Sequence, residues 1–370
     1  MTNRLKTYKI NPSKINVNLC IKKKSKKGKN ILIASINIKY KLMNDKVDIL
    51  LTTYNSNIIY LKEQITSILE QTYYNISLLI SDDASTKKDI QKVLKEYEKK
   101  DKRIKIFFQE TNLGYNKNFE FLLKQSTAKY IMFSDHDDIW YKEKVEKSLE
   151  KIKKENVDLV YSNAKQIDEN GNILHNNYFK YKNVPLIKGK NNCLAISRCI
   201  GIGCSQIITK NVKDKMIPFT KEVIAHDWLA SFIANEANGI DYIEEPLFDY
   251  RLHDSNVFGG RSLSQNLNIW KEKNGVNYKS YLKYRNKRVI DIAYLDGAKM
   301  CLQYAKIEED KKYIKSLIEY YKQLKKSRYL NFCIGKYNKF LSGKNLLKKE
   351  IKEILIFHFP LIGYIKFRIG

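Results

Sequence analysis

The sequence predicts an α/β chain, a mostly parallel sheet with helices on both faces, followed by a helical C-terminal region. Three observations carry this. Between Val47 and Ser162, short apolar runs alternate with segments whose apolar residues recur at helical spacing. Polar and acidic residues stand directly behind those runs, at the strand ends where open α/β sheets bind ligands. Beyond Gly260 the pattern turns helical, basic and tyrosine-rich, with no proline before Pro360.

In chain order, residues 1–46 read as a basic extension outside the fold, with the run Lys22-Lys23-Lys24-Ser25-Lys26-Lys27 and one apolar patch, Ile31-Leu32-Ile33-Ala34. At Val47 the character changes. Val47 to Leu51 reads as a strand, and Leu61, Ile65, Ile68 and Leu69 mark a helix. Ile76 to Ile80 is the second strand, and Ile90, Val93, Leu94 and Tyr97 mark the second helix. A third strand at Ile104 to Phe108, a third helix face at Phe119, Leu122 and Leu123, and a fourth strand at Tyr130 to Phe133 follow. Next come a helix near 142–154, a strand at Asp158 to Ser162 and the hairpin signal Asn170-Gly171. Residues 172–200 are irregular and receive no element. His226-Asp227-Trp228-Leu229-Ala230 opens a helix, and a strand lies near Ile240 to Ile243. The expected organisation is thus a basic extension (1–46), an α/β domain (47–260) and a basic helical C-terminal region (261–370).

At 370 residues and 43% hydrophobic content, the chain can bury a sizeable core. Its net charge of +28 lies in the flanks: residues 1–46 carry +12, residues 261–370 carry +16, and the middle is neutral. A nucleic-acid enzyme with a central cleft would carry its charge in the middle, so flanking charge fits an anionic membrane surface better, or simply solvated Lys-rich helices. Six cysteines without a Cys-x-x-Cys pair or disulfide spacing read as reduced thiols of a cytoplasmic protein. No signal peptide is visible, and no run reaches the ~20 apolar residues of a spanning helix.

The residues behind the strands carry the chemistry. After the first come Thr52-Thr53-Tyr54-Asn55, after the second Ser81-Asp82-Asp83-Ala84-Ser85, before the third helix Asn112-Leu113-Gly114, and after the fourth strand Asp135-His136-Asp137-Asp138. Carboxylates crowded behind a buried strand repel one another and raise each other's pKa, a cost tolerated mainly where a cation sits among them. A divalent metal site is one reading, and a polar loop with Asp138 capping a helix that begins near Tyr141 is the other. Gly201-Ile202-Gly203 lacks a third glycine and a preceding strand, so it reads as backbone room beside a ligand or a turn, not a phosphate loop.

The ordered set Ile49-Leu50-Leu51-Thr52-Thr53-Tyr54-Asn55, Gln71-Thr72-Tyr73, Ser81-Asp82-Asp83-Ala84-Ser85-Thr86, Asn112-Leu113-Gly114, the acidic cluster, His226-Asp227-Trp228 and Tyr250-Arg251-Leu252-His253 resembles glycosyltransferase family 2. The resemblance spans about residues 47–258, and its nearest branch is the rhamnosyltransferase-like one of bacterial surface-polysaccharide enzymes. It implies a GT-A fold and a metal-dependent hexosyltransferase, moving a sugar with inversion from a nucleotide diphosphate to an acceptor hydroxyl. It assigns Thr53, Tyr54, Asn55, Asp82, Asp83, Asn112, Gly114 and Asp135 to the nucleotide sugar, with Asp82 and Asp83 at the base and ribose. Asp135 and Asp137 would hold a Mn2+ or Mg2+ ion that neutralises the departing diphosphate. Asp227 matches the family's general base, required because the attacking hydroxyl must lose its proton, and it also reads as an N-cap. Arg251 and His253 would donate to the diphosphate. His136 stands where the branch more often has glutamine, and a histidine beside a metal is itself a candidate ligand.

The implied partners are a nucleotide-diphosphate sugar and a saccharide acceptor, with no nucleic acid. A lipid-linked acceptor would give sense to peripheral contact with an anionic membrane at its cytoplasmic face. Ile354 to Ile365, edged by Lys348, Lys349, Lys352, Lys366 and Arg368, suits an interfacial position or a docking segment. Two rivals stand beside this reading. A sugar nucleotidyltransferase would need a glycine-rich basic loop where Thr53-Tyr54-Asn55-Ser56 stands, and a nucleic-acid-binding protein would use Tyr278, Tyr281 and Tyr284 among Lys279, Lys283 and Arg285.

Overall fold

The computed structural model describes residues 44–197, 199–253, 270–284 and 295–326. Described residues from Lys46 onward belong to one compact unit. The elements are β1 (Val47–Thr53), α1 (Ile58–Leu69), β2 (Ile76–Asp82), α2 (Lys88–Lys100), β3 (Ile104–Phe108), α3 (Tyr115–Gln125), β4 (Tyr130–Ser134), β5 (Ile139–Trp140), α4 (Lys144–Glu155), β6 (Leu159–Ile167) and β7 (Ile173–His175). They continue with α5 (Tyr178–Lys182), α6 (Asn192–Ser197), a 3-10 turn (Gly203–Ser205), β8 (Gln206–Thr209), α7 (Lys210–Met216), α8 (His226–Glu236), β9 (Ile240–Arg251), α9 (Tyr278–Tyr284), α10 (Asp296–Tyr304) and α11 (Glu308–Lys326).

The strands form one sheet in the order β3-β2-β1-β4-β8-β6-β9-β5, with β7 paired to β6. Its first four strands are parallel, and β6 is parallel to β9. The sheet is nonetheless mixed, because β8 runs antiparallel to both β4 and β6 and so joins two parallel groups. Two reversals in succession restore the direction, so β1, β2, β4, β6 and β9 all end at one edge. Register aligns those ends: Thr53 lies opposite Asp82, Leu51 opposite Ser134, and Ile167 opposite Arg251.

Apolar runs became strands because both sheet faces are covered. Every residue of β1 and β4 is buried, and the amphipathic α2 buries Ile90, Val93 and Leu94 while its lysines face outward. The hairpin signal is realised at Gly171, whose φ of +86° is the left-handed conformation glycine accepts without strain.

Two expectations need correction. The helix after the acidic cluster starts at Lys144, with Glu143 at its N-cap. Asp138 is not its cap, because Ile139 and Trp140 first pair with β9 as a short strand. Asp227 is not a cap either: Ala225 holds that position, and Asp227 sits in the first turn of α8.

Of the C-terminal helices, α10 and α11 pack on the sheet-bearing domain. Asn192 donates to the Asp310 carboxylate at 3.0 Å, and Thr220 N donates to Tyr304 Oη at 2.9 Å. Trp228 fills the space between α6 and α10: its indole donates to Ala195 O at 2.9 Å, and a Cβ on Gly297 would lie 2.1 Å from its ring. The terminal apolar segment 354–365 and the basic arm 1–43 lie outside the described residues.

Candidate functional site

A cavity of about 1560 Å3 opens at the common carboxyl edge of the strands. Thr53, Tyr54, Asn55, Asp83, Asn112, Gly114, Asp135, Asp137, Asp227 and His253 all line it, joined by His136 and His226. Residues far apart in sequence therefore meet in one space. Asp82 and Arg251 stand behind the wall.

The β1 and β2 ends form one rim. Asn55, at a φ of +48°, donates its N–H to Ser85 Oγ at 2.8 Å and accepts from Thr86 N through Oδ1 at 3.0 Å. Asp82 is fully buried, and its carboxylate accepts from Ser85 Oγ at 2.5 Å and Ser85 N at 3.3 Å. Burial pushes its pKa up despite those bonds. Asp82 thus closes the loop that presents Asp83. The Asp83 carboxylate accepts from Leu113 N at 2.7 Å and Gly114 N at 2.9 Å, which seats the Asn112-Gly114 loop against the cavity. Gly114, at a φ of +79°, is where this loop turns into α3.

The first turn of α3 fixes the opposite wall. Tyr115 Oη donates to Ile224 O at 2.6 Å, and Asn116 Oδ1 accepts from His226 N at 3.0 Å. These bonds anchor the start of α8, whose first turn carries Asp227 half-buried at a helix N-terminus that favours a carboxylate. Gly203 backs this turn, since a Cβ there would lie 2.9 Å from His226 Nε2 and 3.5 Å from Asp227 Cβ. A Cβ on Gly201, at a φ of +75°, would lie 2.8 Å from the Tyr161 Cβ. The Gly-x-Gly supplies backbone room, in agreement with its reading from sequence.

The acidic cluster divides by depth. Burial, then the charges of Asp137 and Asp227, push the Asp135 carboxyl up to about 7. Burial also opposes the charged form of Asp137, yet His136 and a 2.8 Å hydrogen bond with His253 Nε2 hold its pKa below the usual range. Asp138 is fully buried and raised well above the usual range, first by burial and then by Asp137 and Asp135. Its Oδ1 accepts from Arg251 N at 3.2 Å.

Beneath the cluster lies Lys144, which the sequence reading missed. It is fully buried, donates to Cys204 O at 2.5 Å, and places its ammonium 3.7 Å from the Phe248 ring centroid and 4.0 Å from that of Trp140. Burial lowers its pKa to about 7. Asp135, Asp138 and the Cys204 thiol approach within 4.8 Å of one another around it. Lys144 supplies positive charge to this inner trio, and a thiol suits a hard cation poorly. Asp135 and Asp137, on the cavity side, present the carboxylate donors that suit Mn2+ or Mg2+, with the His253 imidazole bonded to Asp137 beside them. The cavity's charge points the same way: Asp83, Asp135, Asp137, Glu169 and Asp227 line it against only Lys87 and Lys182 among the lysines and arginines of its lining. A polyanionic ligand in such a space needs a cation.

Arg251, expected to face a diphosphate, is 3% exposed and spends donors on the protein. Nε donates to Asp137 O at 2.9 Å, one terminal nitrogen to Glu169 O at 3.3 Å, and the other to Glu63 Oε2 at 2.7 Å. It clamps the acidic loop to α1 and to the β6–β7 turn, and its guanidinium carbon lies 4.3 Å from the Tyr60 ring centroid. A buried arginine beside three acceptors was not to be read from spacing, because those acceptors come from three separate segments.

The chain is similar to known glycosyltransferases. The sequence model of glycosyl transferase family 2 matches residues 48–216. An uncharacterized glycosyltransferase of Methanocaldococcus jannaschii is 31% identical over 225 residues, covering 60% of this chain and 76% of that protein. The dTDP-rhamnosyl transferase RfbG of Shigella flexneri is 30% identical over 231 residues, covering 56% and 73%. The UDP-Glc:alpha-D-GlcNAc-diphosphoundecaprenol beta-1,3-glucosyltransferase WfgD of Escherichia coli is 29% identical over 197 residues, covering 53% and 73%. Among solved structures, S. aureus TarS 1-349 in complex with UDP-GlcNAc superimposes with a TM-score of 0.51 at 17% identity, covering 87% of this chain and 89% of that one, a likeness of fold.

Proposed function

The chain belongs to glycosyltransferase family 2 and has the GT-A fold, and from that premise we propose that it is an inverting, metal-dependent hexosyltransferase that extends a bacterial cell-surface polysaccharide. One observation carries the reading: Asp227 lines the same cavity as Asp135 and Asp137, close enough for its charge to raise the Asp135 pKa.

The donor enters along the rim made by Thr53, Tyr54, Asn55, Asp83, Asn112 and Gly114. Asp135 and Asp137, with His253 beside them, would hold a Mn2+ or Mg2+ ion, which when bound neutralises charge gathering on the diphosphate. Asp227 accepts the proton of the acceptor hydroxyl as its oxygen bonds to the anomeric carbon. The bond from that carbon to the diphosphate oxygen breaks on the opposite side, which inverts the centre. Asp82 and Arg251 position this machinery from behind, through Asp83 and through the acidic loop. The acceptor is a saccharide on a lipid diphosphate carrier, a reading supported by the name of the E. coli relative, and the enzyme works at the cytoplasmic face of the membrane. We further assign residues 1–46 as a basic extension, 47–260 as the catalytic domain and 261–370 as a basic helical region. The family match at 48–216 supports the second of these.

The test is a panel of UDP- and dTDP-sugars assayed for Mn2+-dependent binding and slow hydrolysis. With the donor so found, Asp227→Asn should lower kcat by about 100-fold or more at nearly unchanged donor affinity. Asp137→Asn should lose Mn2+-dependent donor binding. Near-normal transfer by either variant removes that residue from the mechanism.

A further inference from the structure

We propose that residues 173–190, spanning β7, α5 and the irregular segment after them, form a docking face for an anionic lipid bilayer beside the mouth of the cavity. The segment is firmly built. β7 pairs with β6, Asn177 caps α5 by accepting from Lys180 N at 2.9 Å, and Phe179 packs on Tyr161 at 5.5 Å between ring centroids. Phe179 N donates to Asn163 Oδ1 at 3.0 Å, and Ile187 N donates to Tyr161 Oη at 3.0 Å.

Its inward side serves the cavity, which Tyr178, Lys182, Val184 and Pro185 line. Its outward side is unusual for a solvated surface. Ile173 is 54% exposed, Leu174 46%, Tyr181 45% and Leu186 49%, and the His175 ring stacks on Tyr181 at 3.6 Å, which brings the hairpin against α5. The same segment carries Lys180, Lys182, Lys188 and Lys190, of which Lys180, Lys188 and Lys190 are exposed, and no acidic residue anywhere from 173 to 190, although residues 47–260 as a whole are neutral. Exposed apolar side chains edged by lysines match the layered chemistry of a bilayer surface, acyl chains beneath anionic headgroups. This charge complementarity selects the lipid surface over a neutral protein partner. The placement would bring a lipid-borne acceptor to the cavity mouth, so the proposal rests on the lipid-linked acceptor suggested above. It names a surface distinct from the terminal segment 354–365.

The experiment places tryptophan in the full chain, as Leu174→Trp and, on a distant exposed site, Tyr74→Trp. Vesicles of phosphatidylcholine and phosphatidylglycerol are prepared with and without brominated acyl chains. Emission of Leu174→Trp should shift to the blue on adding vesicles, and bromine should quench it beyond the wild-type background, while Tyr74→Trp should show neither effect. Lys180→Glu with Lys188→Glu should weaken vesicle binding about fivefold or more. Binding through the basic flanks with the tryptophan at 174 unquenched overturns the proposal. So does an emission already blue-shifted before lipid is added and insensitive to bromine, which would mean that another part of the chain or a second copy covers the face. Absence of vesicle binding overturns it as well. Donor hydrolysis in solution is read separately on the same variants and should be unchanged, so failure here leaves the transferase reading standing, and loss of that reading is seen in the donor assay alone.

Discussion

His226 shows how much of this site depends on the surroundings of one side chain. It is 6% exposed, with its ring 4.0 Å from that of Phe119 and 4.8 Å from that of Phe133, and neither ring nitrogen has a hydrogen-bond partner among the described residues. Burial lowers its pKa to about 4, with the Asp227 charge working the other way. The folded protein therefore keeps the ring neutral, while an unfolded histidine titrates at about 6.5. As pH falls from about 6.5 towards 4, the unfolded chain takes up a proton that the fold refuses, so stability is full above this window and lost within it, by about 2 kcal/mol at pH 5. Denaturant unfolding at pH 7.5 and pH 5 should show a smaller loss for His226→Gln than for wild type. Equal losses would mean that the imidazole is not held neutral. Asp138 teaches a related lesson. From sequence it read as a helix cap ahead of a metal ligand, and it is neither cap nor cavity lining, because β5 intervenes and Arg251 N binds it from behind.

Elements act through their ends. β1, β2 and β4 finish at one edge because their registers align, and alternation of apolar and helical segments was enough to predict that edge. The junction of α8 with α6 and α10 was not predictable, although its key residue belongs to the motif His226-Asp227-Trp228. Trp228 locks three helices, and Gly297 is the space its ring needs. Gly297→Ala should destabilise the protein by about 1–3 kcal/mol in urea unfolding, since the added methyl would meet a buried indole that its hydrogen bond to Ala195 O holds in place. In a Trp228→Leu background the same substitution should cost much less, and additive effects would show that the two residues do not meet. A glycine inside a basic helical stretch carries no mark in sequence of the ring pressed on it from a helix tens of positions away.

At the scale of the whole chain, the positive charge of the sequence lies before residue 47 and after residue 260, while the cavity built by the neutral middle is acidic. On the proposed reading that cavity binds a nucleoside diphosphate, so its affinity should collapse when divalent ions are removed. Calorimetric titration of UDP or dTDP into the chelated protein should show at least about tenfold weaker binding than in Mn2+, restored on adding the ion back and not restored in Asp137→Asn. Equal affinity with and without metal would place the charge compensation on Lys87 and Lys182 instead. Composition alone argued against a central nucleic-acid cleft, and the acidic lining supports that argument with named residues.

Periodicity, strand-end residues and the order of short motifs settled the fold and most of the cavity wall, because each is local: a strand pattern, a turn glycine or an Asp-x-Asp requires only neighbours in the chain. Which acid is buried over Lys144, which faces His253, and whether Arg251 reaches the ligand or clamps the loop were decided by packing. Those outcomes depend on dielectric environment and on partners contributed by distant segments, and neither quantity exists until the sheet has brought the segments together.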